Sequence, residues 1–476
     1  MSMCYLKHMS SINFGTDGWR AEMGRDFTFD RVRIFAGAYS DYLKKKFKGE
    51  IRIIVNFDTR FLSSRYAEEV VKILSLRNIK AFLPERDTPI PAISYFVSQQ
   101  NFHGAVNFTA GVKSPIYNGI KILNDRGAPE LKSETKKIEK IIRESAGIEN
   151  FKPQYAEMNQ LNNQRLRNSY LKYIEKTINF DSIRESGLKI IVDNLYGSSR
   201  DYLDYILNSN GIETISIHNF PYSSFGNLIP NCSRESLAEL SSVVLENKAD
   251  IGLATDINGS RFGVINSKGE FIEPEKILPP LIEYLVKERK MTGGVIKSVS
   301  ATENIRNVAE HYLRKVHECP VGFKYLVAEM DKRKVFIAVE GSNGGTLNAG
   351  GKIKDGILFN LLISEMAAFY KMGLDEIIES FYSRFPRLFK NEVVVPFDKV
   401  SHKKADMILR GEGLDLNGLN STGIDFMDGI KLFFENSWLL IRRSGTENVF
   451  RIYAESNKRK RSLDLIRLGR GLIEKK

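Results

Sequence analysis

The residues whose types and spacing indicate chemistry most clearly lie near the carboxyl end of the chain, at Arg442, Ser444, Gly445 and Thr446. Glycine allows a ligand to approach the backbone closely, and the hydroxyls of serine and threonine donate hydrogen bonds to phosphate oxygens. An arginine guanidinium binds phosphate through two parallel hydrogen bonds. The sequence therefore predicts a phosphate-binding loop, and a structural turn without a ligand is the alternative that stays open.

Two further stretches carry polar or charged groups that could contact a ligand. Glu340 and Ser342 follow residues 335–339, an apolar run that predicts a buried strand. A carboxylate and a hydroxyl two residues apart can accept from and donate to neighbouring sugar hydroxyls. Arg20 closes the glycine-rich segment 14–20, and its planar guanidinium offers five donors to a phosphate group. For segment 14–20 alone, a purely structural turn is an equal alternative.

The composition is that of a globular protein with several domains. The 476 residues are enough for about three or four domains of roughly 100–150 residues each. Cys4, Cys232 and Cys319 are scattered without metal or redox spacing, which favours a reducing cytoplasm. Six histidines without a paired spacing argue against a zinc enzyme. No apolar run approaches the roughly 20 residues that span a bilayer, so we expect no membrane association.

The net charge of +12 raises the question of an anionic partner. Such a charge is compatible with nucleic acid, an anionic membrane or small anions. The basic residues are spread along the chain, and solvated helix faces explain the densest runs, 44–46 and 458–461. No stretch combines aromatic and basic residues as nucleic-acid recognition motifs do, so we do not expect nucleic-acid binding.

Alternating strand and helix segments position these residues at the ends of predicted strands. An apolar strand at 51–56 is followed by a helix at about 64–77, and another apolar strand is expected at 188–192. This alternation predicts parallel, doubly wound sheets, which place functional loops at the carboxyl ends of their strands. We expect three α/β domains and a smaller α+β domain, with a polar linker at 150–168. The predicted domains span 1–150, 165–275, 276–375 and 390–476.

A loop framed by Thr109-Ala110 and Tyr117-Asn118-Gly119-Ile120-Lys121 follows an apolar strand end. It resembles the active-site loop of the α-D-phosphohexomutases, the phosphoglucomutase and phosphomannomutase superfamily. That loop reads T-A-S-H-N-P, two further residues and Y-N-G-x-K. Four more motifs are similar to the family's F-G-T-x-G-x-R, V-G-F-K-Y, E-x-S-G and R-x-S-G-T-E-P, in the same order. They are Phe14–Arg20, Val321–Tyr325, Glu340 with Ser342, and Arg442–Glu447.

The resemblance implies four domains around a central cleft and a role for each matched position. The family's phosphoryl-carrying serine corresponds to Gly111, which has no side-chain oxygen. In the family, the arginine corresponding to Arg20 faces that serine, and the lysine corresponding to Lys121 helps as an acid or base. The substrate-binding positions of the family correspond to Lys324, Glu340, Ser342, Arg442, Ser444, Gly445 and Thr446.

The loop that holds magnesium in the family is also changed. The family reads D-x-D-x-D-R, and here the three carboxylate positions hold Asp256, Asn258 and Ser260, followed by Arg261. Alternating residues of an extended loop point the same way, so three carboxylates there form an oxygen cage for Mg²⁺. With one carboxylate of three remaining, we expect weak Mg²⁺ binding or none. An ordinary strand-to-helix turn is the alternative for this segment.

The two changed loops serve one reaction in the family, so loss of the phosphoryl carrier explains both changes. Thr109 and Ser114 lie two and three residues from Gly111, roughly 7–10 Å along an extended chain and too far for in-line attack. We therefore predict a cytoplasmic, catalytically degenerate phosphohexomutase that binds hexose phosphates. Its role would be sensing, scaffolding or regulation of a protein partner. The alternative is an active phosphohexomutase, interconverting hexose 1-phosphates and 6-phosphates, with an unorthodox centre.

Overall fold

A computed structural model of the chain describes residues 12–144, 158–396, 407, 409–412, 419–445 and 449–474. The contacts divide the chain into two compact units. The first unit consists of Met1–Ile272 and Asn343–Gly373, and the second of Glu273–Ser342 and Leu374–Lys476. Each unit carries helices and loops with candidate functional residues.

The first unit begins with a six-stranded sheet. In spatial order its strands are Trp19–Glu22, Tyr117–Leu123, Ala105–Phe108, Arg52–Phe57, Lys80–Pro84 and Asn159–Leu161. The helices of this region are Phe29–Lys46, Ser63–Leu76, Ile90–Gln99 and Lys132–Glu144. The first helix starts where the Thr28 hydroxyl accepts from the Arg31 amide, and three lysines in its last turn complement the helix dipole. Its apolar face and the strands form one core around Phe35, Val55 and Val106.

The strand Ala105–Phe108 positions the loop that carries Gly111. It is buried throughout and pairs parallel with Arg52–Phe57 on one side and antiparallel with Tyr117–Leu123 on the other. The sheet is therefore mixed, with Tyr117–Leu123 and its neighbour Trp19–Glu22 antiparallel. The spacing of strands and helices predicts only the parallel pairs, because antiparallel neighbours need no crossover helix between them.

The second sheet of the first unit has four strands, in the order Phe262–Asn266, Ile251–Thr255, Ile190–Asp193 and Thr214–Ile217. The first pair is antiparallel and the other two pairs are parallel. The helical segments of this region are Asn163–Thr177, Phe180–Ser186, Leu203–Ser209, Ala238–Glu246 and the 3₁₀ turn Phe225–Asn227. The turn between the two antiparallel strands carries Asp256, Asn258 and Ser260.

The prediction of a linker at 150–168 is wrong for its second half, which forms a short strand and the first turns of a helix. Asn159–Leu161 pairs parallel with Lys80–Pro84 at the edge of the first sheet. The side chain of Asn162 accepts from the Arg165 amide and caps the helix that starts at the next residue. A run of asparagines reads as a linker in sequence, but asparagine is also a preferred helix cap. Residues 145–157 lie outside the described part of the chain.

The helix Gly356–Tyr370 follows the strand Gly344–Leu347 and completes the first unit. It is apolar on nearly all sides and buried along most of its length, as a helix of that composition must be. It packs against the helix Phe180–Ser186 and the strands Ile251–Thr255 and Phe262–Asn266. In the described residues no single helix is long and apolar enough to cross a membrane. Only Gly356–Tyr370 and Leu374–Tyr382, taken together across a bend, reach that length and composition.

The second unit contains three parallel strands, in the spatial order Val316–Cys319, Gly294–Ser298 and Val335–Glu340. Its helices outside the C-terminal region are Pro274–Lys287, Asn304–His311, Phe323–Met330 and Leu374–Tyr382. The helix Phe323–Met330 starts two residues after Val321, and Glu340 ends the last of the three strands. The motif that begins at Val321 therefore leads into a helix, and the motif that begins at Glu340 follows from the end of a strand.

The second unit ends in an antiparallel sheet with one helix, Arg459–Glu474. In spatial order its strands are Phe389–Pro396, Val449–Ser456, Ser437–Arg443, Ile430–Phe434 and Gly423–Asp425. Trp438, Leu440 and Tyr453 of this sheet pack against Val299, which follows the parallel strand Gly294–Ser298. Three α/β regions and a smaller α+β region are the fold class predicted from the sequence, and the structure confirms it.

Candidate functional site

Gly111 stands in the loop after the strand Ala105–Phe108 and has a left-handed backbone, with φ +58°. Its amide donates to Thr109 Oγ1 at 3.0 Å, and its carbonyl accepts from Arg60 Nη2 at 2.6 Å. Among the described residues outside its own chain neighbours, a Cβ atom at position 111 would meet only Arg20 Nη2 within 4 Å, at 3.5 Å. The position therefore lacks a nucleophile but has room for a small side chain facing Arg20.

Arg20 and Lys121 converge on one carboxylate beside this loop. Arg20 Nη2 and Lys121 Nζ each lie 2.8 Å from the same oxygen of Asp17, Oδ2. The antiparallel pairing of Trp19–Glu22 with Tyr117–Leu123 places the two cations on neighbouring strands. Burial raises the pKa of the Asp17 carboxyl, but the positive charges of Lys121 and Arg20 oppose this effect, and the net pKa is lowered well below its usual value. The carboxyl is therefore ionised.

The positive charge around Asp17 exceeds the negative charge. Lys354 also lowers the pKa of Asp17 through its charge, so three cations act on one carboxylate. Burial lowers the pKa of Lys121, and Asp17 opposes that effect. A partly buried surplus of positive charge is stabilised by an anion, and a phosphate dianion with several acceptor oxygens suits arginine and lysine donors. The chemistry that this group of residues supports is phosphate binding.

A single arginine holds the backbone of the Gly111 loop in place. Arg60 is almost fully buried, and its Nε lies 3.6 Å from Asp58 Oδ2. Its two Nη groups donate to four loop carbonyls at 2.5–2.9 Å, those of Gly111, Lys113, Ser114 and Tyr117. Burial lowers the pKa of Arg60 to about 10, which leaves it charged at neutral pH. The loop conformation therefore depends on Arg60, a residue that the sequence did not single out.

The three residues at the family's metal positions are folded onto one another. Asp256 Oδ1 accepts from the amides of Ser260 and Arg261 at 2.7 and 3.0 Å, and its Oδ2 accepts from Ser260 Oγ at 3.0 Å. Asn258 Oδ1 accepts from the same Ser260 amide at 3.2 Å. Its Nδ2 donates to Thr109 Oγ1 at 3.2 Å, so the nitrogen of this amide points to the loop that carries Gly111.

This donor set does not fit a magnesium ion. Mg²⁺ requires octahedral oxygen ligands and is held by carboxylates. Here the only carboxylate of the three positions has both oxygens committed to internal hydrogen bonds, and Asn258 presents a donor to the loop instead of an acceptor. Across the described ranges, no group of three or more histidine, cysteine, aspartate or glutamate residues is arranged to hold a metal.

In the second unit, Glu340 joins two of the predicted binding motifs. Its Oε1 accepts from the Gly322 amide at 2.9 Å, and its Oε2 accepts from Ser342 Oγ at 2.8 Å. Lys324 lies in the first turn of the helix that follows Gly322 and is buried. The motifs around residues 321–325 and 340–342 therefore meet at the Gly322 amide, two residues before Lys324.

Arg442 of the phosphate-binding motif is linked to the same segment through Asp428. Arg442 Nε donates to Asp428 Oδ2 at 2.7 Å, and the Val321 amide donates to the same oxygen at 2.9 Å. Ser444 is buried and its amide donates to the Val449 carbonyl at 2.9 Å, whereas Gly445 is exposed. Thr446 lies outside the described residues.

The structure brings together residues that the sequence singled out separately within each unit. Arg20, Gly111 and Lys121 meet in the first unit, and Asn258 joins them through Thr109. In the second unit, Lys324, Glu340, Ser342 and Arg442 surround the turn at residues 321–322.

Three polar residues that organise these contacts were missed by sequence reasoning. Asp17 stands inside the quoted motif Phe14–Arg20, three residues before Arg20, a spacing that permits an ion pair. Asp428 precedes a glycine, and an Asp-Gly pair signals only a turn. Arg60 follows a strand end and carried no motif signal, since its partners are backbone carbonyls of a distant segment.

The four domain profiles of the phosphoglucomutase/phosphomannomutase family match consecutive segments of the chain. The profile of α/β/α domain I matches residues 11–148, and that of domain II matches 168–269. Domain III matches 273–385, and the C-terminal domain matches 389–467. The matches follow the family's own domain order and cover well over half of the chain.

Known proteins of similar length align with the chain from end to end. A probable phosphoglucosamine mutase of Pyrococcus furiosus is 27% identical over 463 residues, with 97% of each chain covered. A phosphoglucomutase/phosphomannomutase of Thermococcus kodakarensis is 26% identical, with 97% of this chain and 98% of that protein covered. A solved structure from Thermus thermophilus, described provisionally as a phosphomannomutase, is 26% identical with a TM-score of 0.83, covering 98% of this chain and 99% of that one. The chain belongs to the phosphoglucomutase/phosphomannomutase family, within the α-D-phosphohexomutase superfamily.

Proposed function

We propose that this protein binds hexose phosphates without the phosphoryl transfer of an ordinary phosphohexomutase. The observation that carries the proposal is glycine at position 111, where the family's motif has the serine that carries the phosphoryl group. The loop around Gly111 is held by Arg60, which donates to the carbonyls of Gly111 and Lys113. The changed donor set at Asp256, Asn258 and Ser260 supports the same conclusion, since phosphoryl transfer depends on charge stabilisation.

The nearest hydroxyls are unsuited to replace the missing serine. Thr109 Oγ1 is buried and accepts from both the Gly111 amide and Asn258 Nδ2. A hydroxyl so engaged would have to break these contacts before it could attack phosphorus in line. Ser114 lies three residues beyond Gly111, and its backbone is held by Arg60, whose Nη1 donates to the Ser114 carbonyl at 2.7 Å.

Ligand binding is supported by the charges and polar groups that remain. The cluster of Arg20, Lys121 and Lys354 around Asp17 offers donors to a phosphate, and Arg442 offers a guanidinium fork in the second unit. Glu340 and Ser342 supply an acceptor and a donor for sugar hydroxyls. The groups of the second unit, a guanidinium with an acceptor and a donor for hydroxyls, suit a phosphorylated hexose as a class.

The proposal is tested by a coupled mutase assay with glucose, mannose and glucosamine 1-phosphates, Mg²⁺ and a bisphosphorylated hexose primer. We expect no turnover from the parent protein. The Gly111→Ser variant is expected to stay inactive, although its Cβ has room 3.5 Å from Arg20 Nη2, because the donor set at 256–260 is unchanged. The left-handed backbone adds a strain of about 1–2 kcal/mol to that variant. Turnover by the parent protein would instead establish the alternative, an active phosphohexomutase with an unorthodox centre.

Arg442→Ala is expected to weaken hexose 6-phosphate binding about tenfold or more, measured by isothermal titration calorimetry. The reason is that hydrogen bonds to charged groups contribute about 1.5–3 kcal/mol each. The matched control is Lys458→Ala, which removes an exposed positive charge from the same region of the chain. Equal affinity of Arg442→Ala and parent protein would show that the phosphate binds elsewhere.

A protein that holds a hexose phosphate without converting it suits a sensing, scaffolding or regulatory role toward a protein partner. We place that role in the cytoplasm because the cysteines are few and scattered, and Cys232 and Cys319 are buried free thiols. Affinity capture with and without glucose 6-phosphate tests the role. A partner retained only in one condition supports it, and identical captured proteins in both conditions speak against it.

A further inference from the structure

One carboxylate oxygen in the second unit connects two loops that are more than one hundred residues apart in sequence. Asp428 Oδ2 accepts from Arg442 Nε at 2.7 Å and from the Val321 amide at 2.9 Å. Arg442 belongs to the C-terminal antiparallel sheet, and Val321 precedes the helix Phe323–Met330 beside the parallel strands. Asp428 is therefore a direct link between the phosphate-binding motif and the motif that carries Lys324.

The turn that carries Asp428 is built to reach Arg442. The next residue, Gly429, has φ +86°, which favours glycine. A Cβ atom at position 429 would lie 2.3 Å from the Ile441 carbonyl oxygen and 2.9 Å from Arg442 Cα. Because only glycine permits this approach, the Asp-Gly pair sets Asp428 directly against the strand of Arg442.

The Val321 amide is one of two consecutive amides held by carboxylates. The Gly322 amide donates to Glu340 Oε1, and Glu340 Oε2 accepts from Ser342 Oγ. The turn before Lys324 is thus held by Asp428 on one residue and by Glu340 on the next. Both the sugar-binding groups and the phosphate-binding arginine depend on the position of this turn.

The C-terminal sheet is attached to the parallel strands by a second, buried set of contacts. Lys431 Nζ donates to the Val299 carbonyl at 3.1 Å and lies 4.7 Å from the centre of the Trp438 ring. Glu455 accepts from Trp438 Nε1 and from the Glu303 amide. These contacts hold the C-terminal sheet against the region of the parallel strands, and Asp428 adds the link to the turn at 321–322.

We propose that Asp428 is a positioning residue, which holds the Arg442 guanidinium and the turn at 321–322 as one preassembled site for the hexose phosphate. The inference rests on the proposed function. A guanidinium is planar, so a hydrogen bond at Nε fixes the directions of both Nη groups. Asp428 acts on the ligand only through Arg442 and the turn, and it sets their geometry before the ligand arrives.

Positioning and simple electrostatics predict opposite effects when the charge of Asp428 is removed. A carboxylate close to a phosphate site repels the ligand, so charge alone predicts that Asp428→Asn binds hexose phosphate more tightly. If Asp428 positions Arg442, the same variant binds more weakly, because a neutral amide oxygen holds the guanidinium less firmly and the ligand must order it. The sign of the change therefore separates the two accounts.

The experiment measures glucose, mannose and glucosamine 6-phosphate binding by calorimetry for the parent protein, Asp428→Asn and the matched control Asp425→Asn. Asp425 lies in the same hairpin and accepts from the Met427 amide, outside the link to Arg442. We expect Asp428→Asn to weaken binding about tenfold, which corresponds to weakening one or two hydrogen bonds of the site. We expect Asp425→Asn to change binding less than about twofold. In an Arg442→Ala background, Asp428→Asn should weaken binding clearly less than in the parent protein, because only its link to the Val321 amide then remains to be lost.

Hydrogen exchange of the ligand-free proteins supplies a second readout. The Val321 amide should exchange faster in Asp428→Asn than in the parent protein, and Asp425→Asn should leave it unchanged. Unchanged or tighter binding by Asp428→Asn overturns the inference and leaves the proposed function standing. A parent protein that binds none of the three hexose phosphates overturns both together, so the two failures are distinguishable.

Discussion

Replacing Arg60 with alanine is expected to lower the free energy of unfolding of the first unit by about 3–5 kcal/mol. Arg60 is the buried donor for the four carbonyls of the Gly111 loop and the only cation paired with Asp58 among the described residues. The variant would leave those acceptors unsatisfied and Asp58 as an uncompensated buried charge. Urea unfolding followed by circular dichroism measures the loss.

The pH dependence of the Arg60→Ala effect has a definite sign. Burial already raises the pKa of the Asp58 carboxyl, and loss of Arg60 removes the group that opposes this shift. A carboxyl whose pKa is raised in the folded state contributes favourably to the free energy of unfolding at low pH, and this contribution is lost as the pH rises through the raised pKa. The deficit of the variant should therefore grow from acid to neutral pH, and Asp58→Asn in the same chain should recover part of it.

Arg65→Ala is the matched control for Arg60→Ala. Arg65 lies in the next helix, is mostly exposed and pairs with Glu68 on the same helix. Exposed pairs of this kind contribute about 0–1 kcal/mol, so the control should unfold close to the parent protein. If Arg60→Ala is as stable as Arg65→Ala at pH 7, the proposed dependence of the Gly111 loop on Arg60 is wrong.

Asp355→Asn is expected to stabilise the first unit at pH 8 by up to about 4 kcal/mol and to have little effect at pH 4. Asp355 is buried, and its Oδ1 accepts from the Leu358 amide and from the Tyr170 hydroxyl. Its Oδ2 has no hydrogen-bond partner among the described residues. Burial raises the pKa of this carboxyl from 3.8 to about 7, and each unit of pKa corresponds to about 1.4 kcal/mol.

The sign of the Asp355 effect follows from the direction of its shift. The folded state holds the proton more tightly than the unfolded state, so the contribution of Asp355 is favourable below pH 4 and is lost as the pH rises through about 7. Asparagine keeps an acceptor for the Leu358 amide without the charge. Unfolding curves at pH 4 and pH 8 measure the difference, with the exposed Asp181→Asn as the control. Parallel pH profiles for Asp355→Asn and the parent protein would contradict the prediction.

Much of the fold follows from local sequence patterns. The strand Ile190–Asp193 and the helix Ser63–Leu76 begin and end within about two residues of the predicted positions. Hydrophobic periodicity predicts such elements well because it depends on local structure. The strand Tyr117–Leu123 pairs antiparallel, which the alternation of strands and helices could not predict. The start of the helix at Asn163 was hidden because its capping asparagine resembles linker sequence.

Sequence motifs predicted candidate site residues, but they did not predict which side chains contact those residues. Arg20, Lys121 and Arg442 were predicted as site residues because their motifs are local in sequence. The groups that orient them were not found, since Asp17 and Asp428 act through partners brought near by strand pairing or by a glycine turn. A single sequence shows which residue types are present. Contacts between distant segments determine which polar atoms are already hydrogen-bonded within the protein and which are available to bind a ligand.

The most direct test of the central claim is mass spectrometry of the protein after incubation with glucose 1,6-bisphosphate and Mg²⁺. The account predicts that residues 109–114 carry no phosphoryl group, because Gly111 has no acceptor oxygen and Thr109 is engaged with Asn258. Glucose 1,6-bisphosphate should be recovered unchanged from the same sample. Stoichiometric phosphorylation of Thr109 or Ser114 would contradict the account and establish a working phosphoryl carrier.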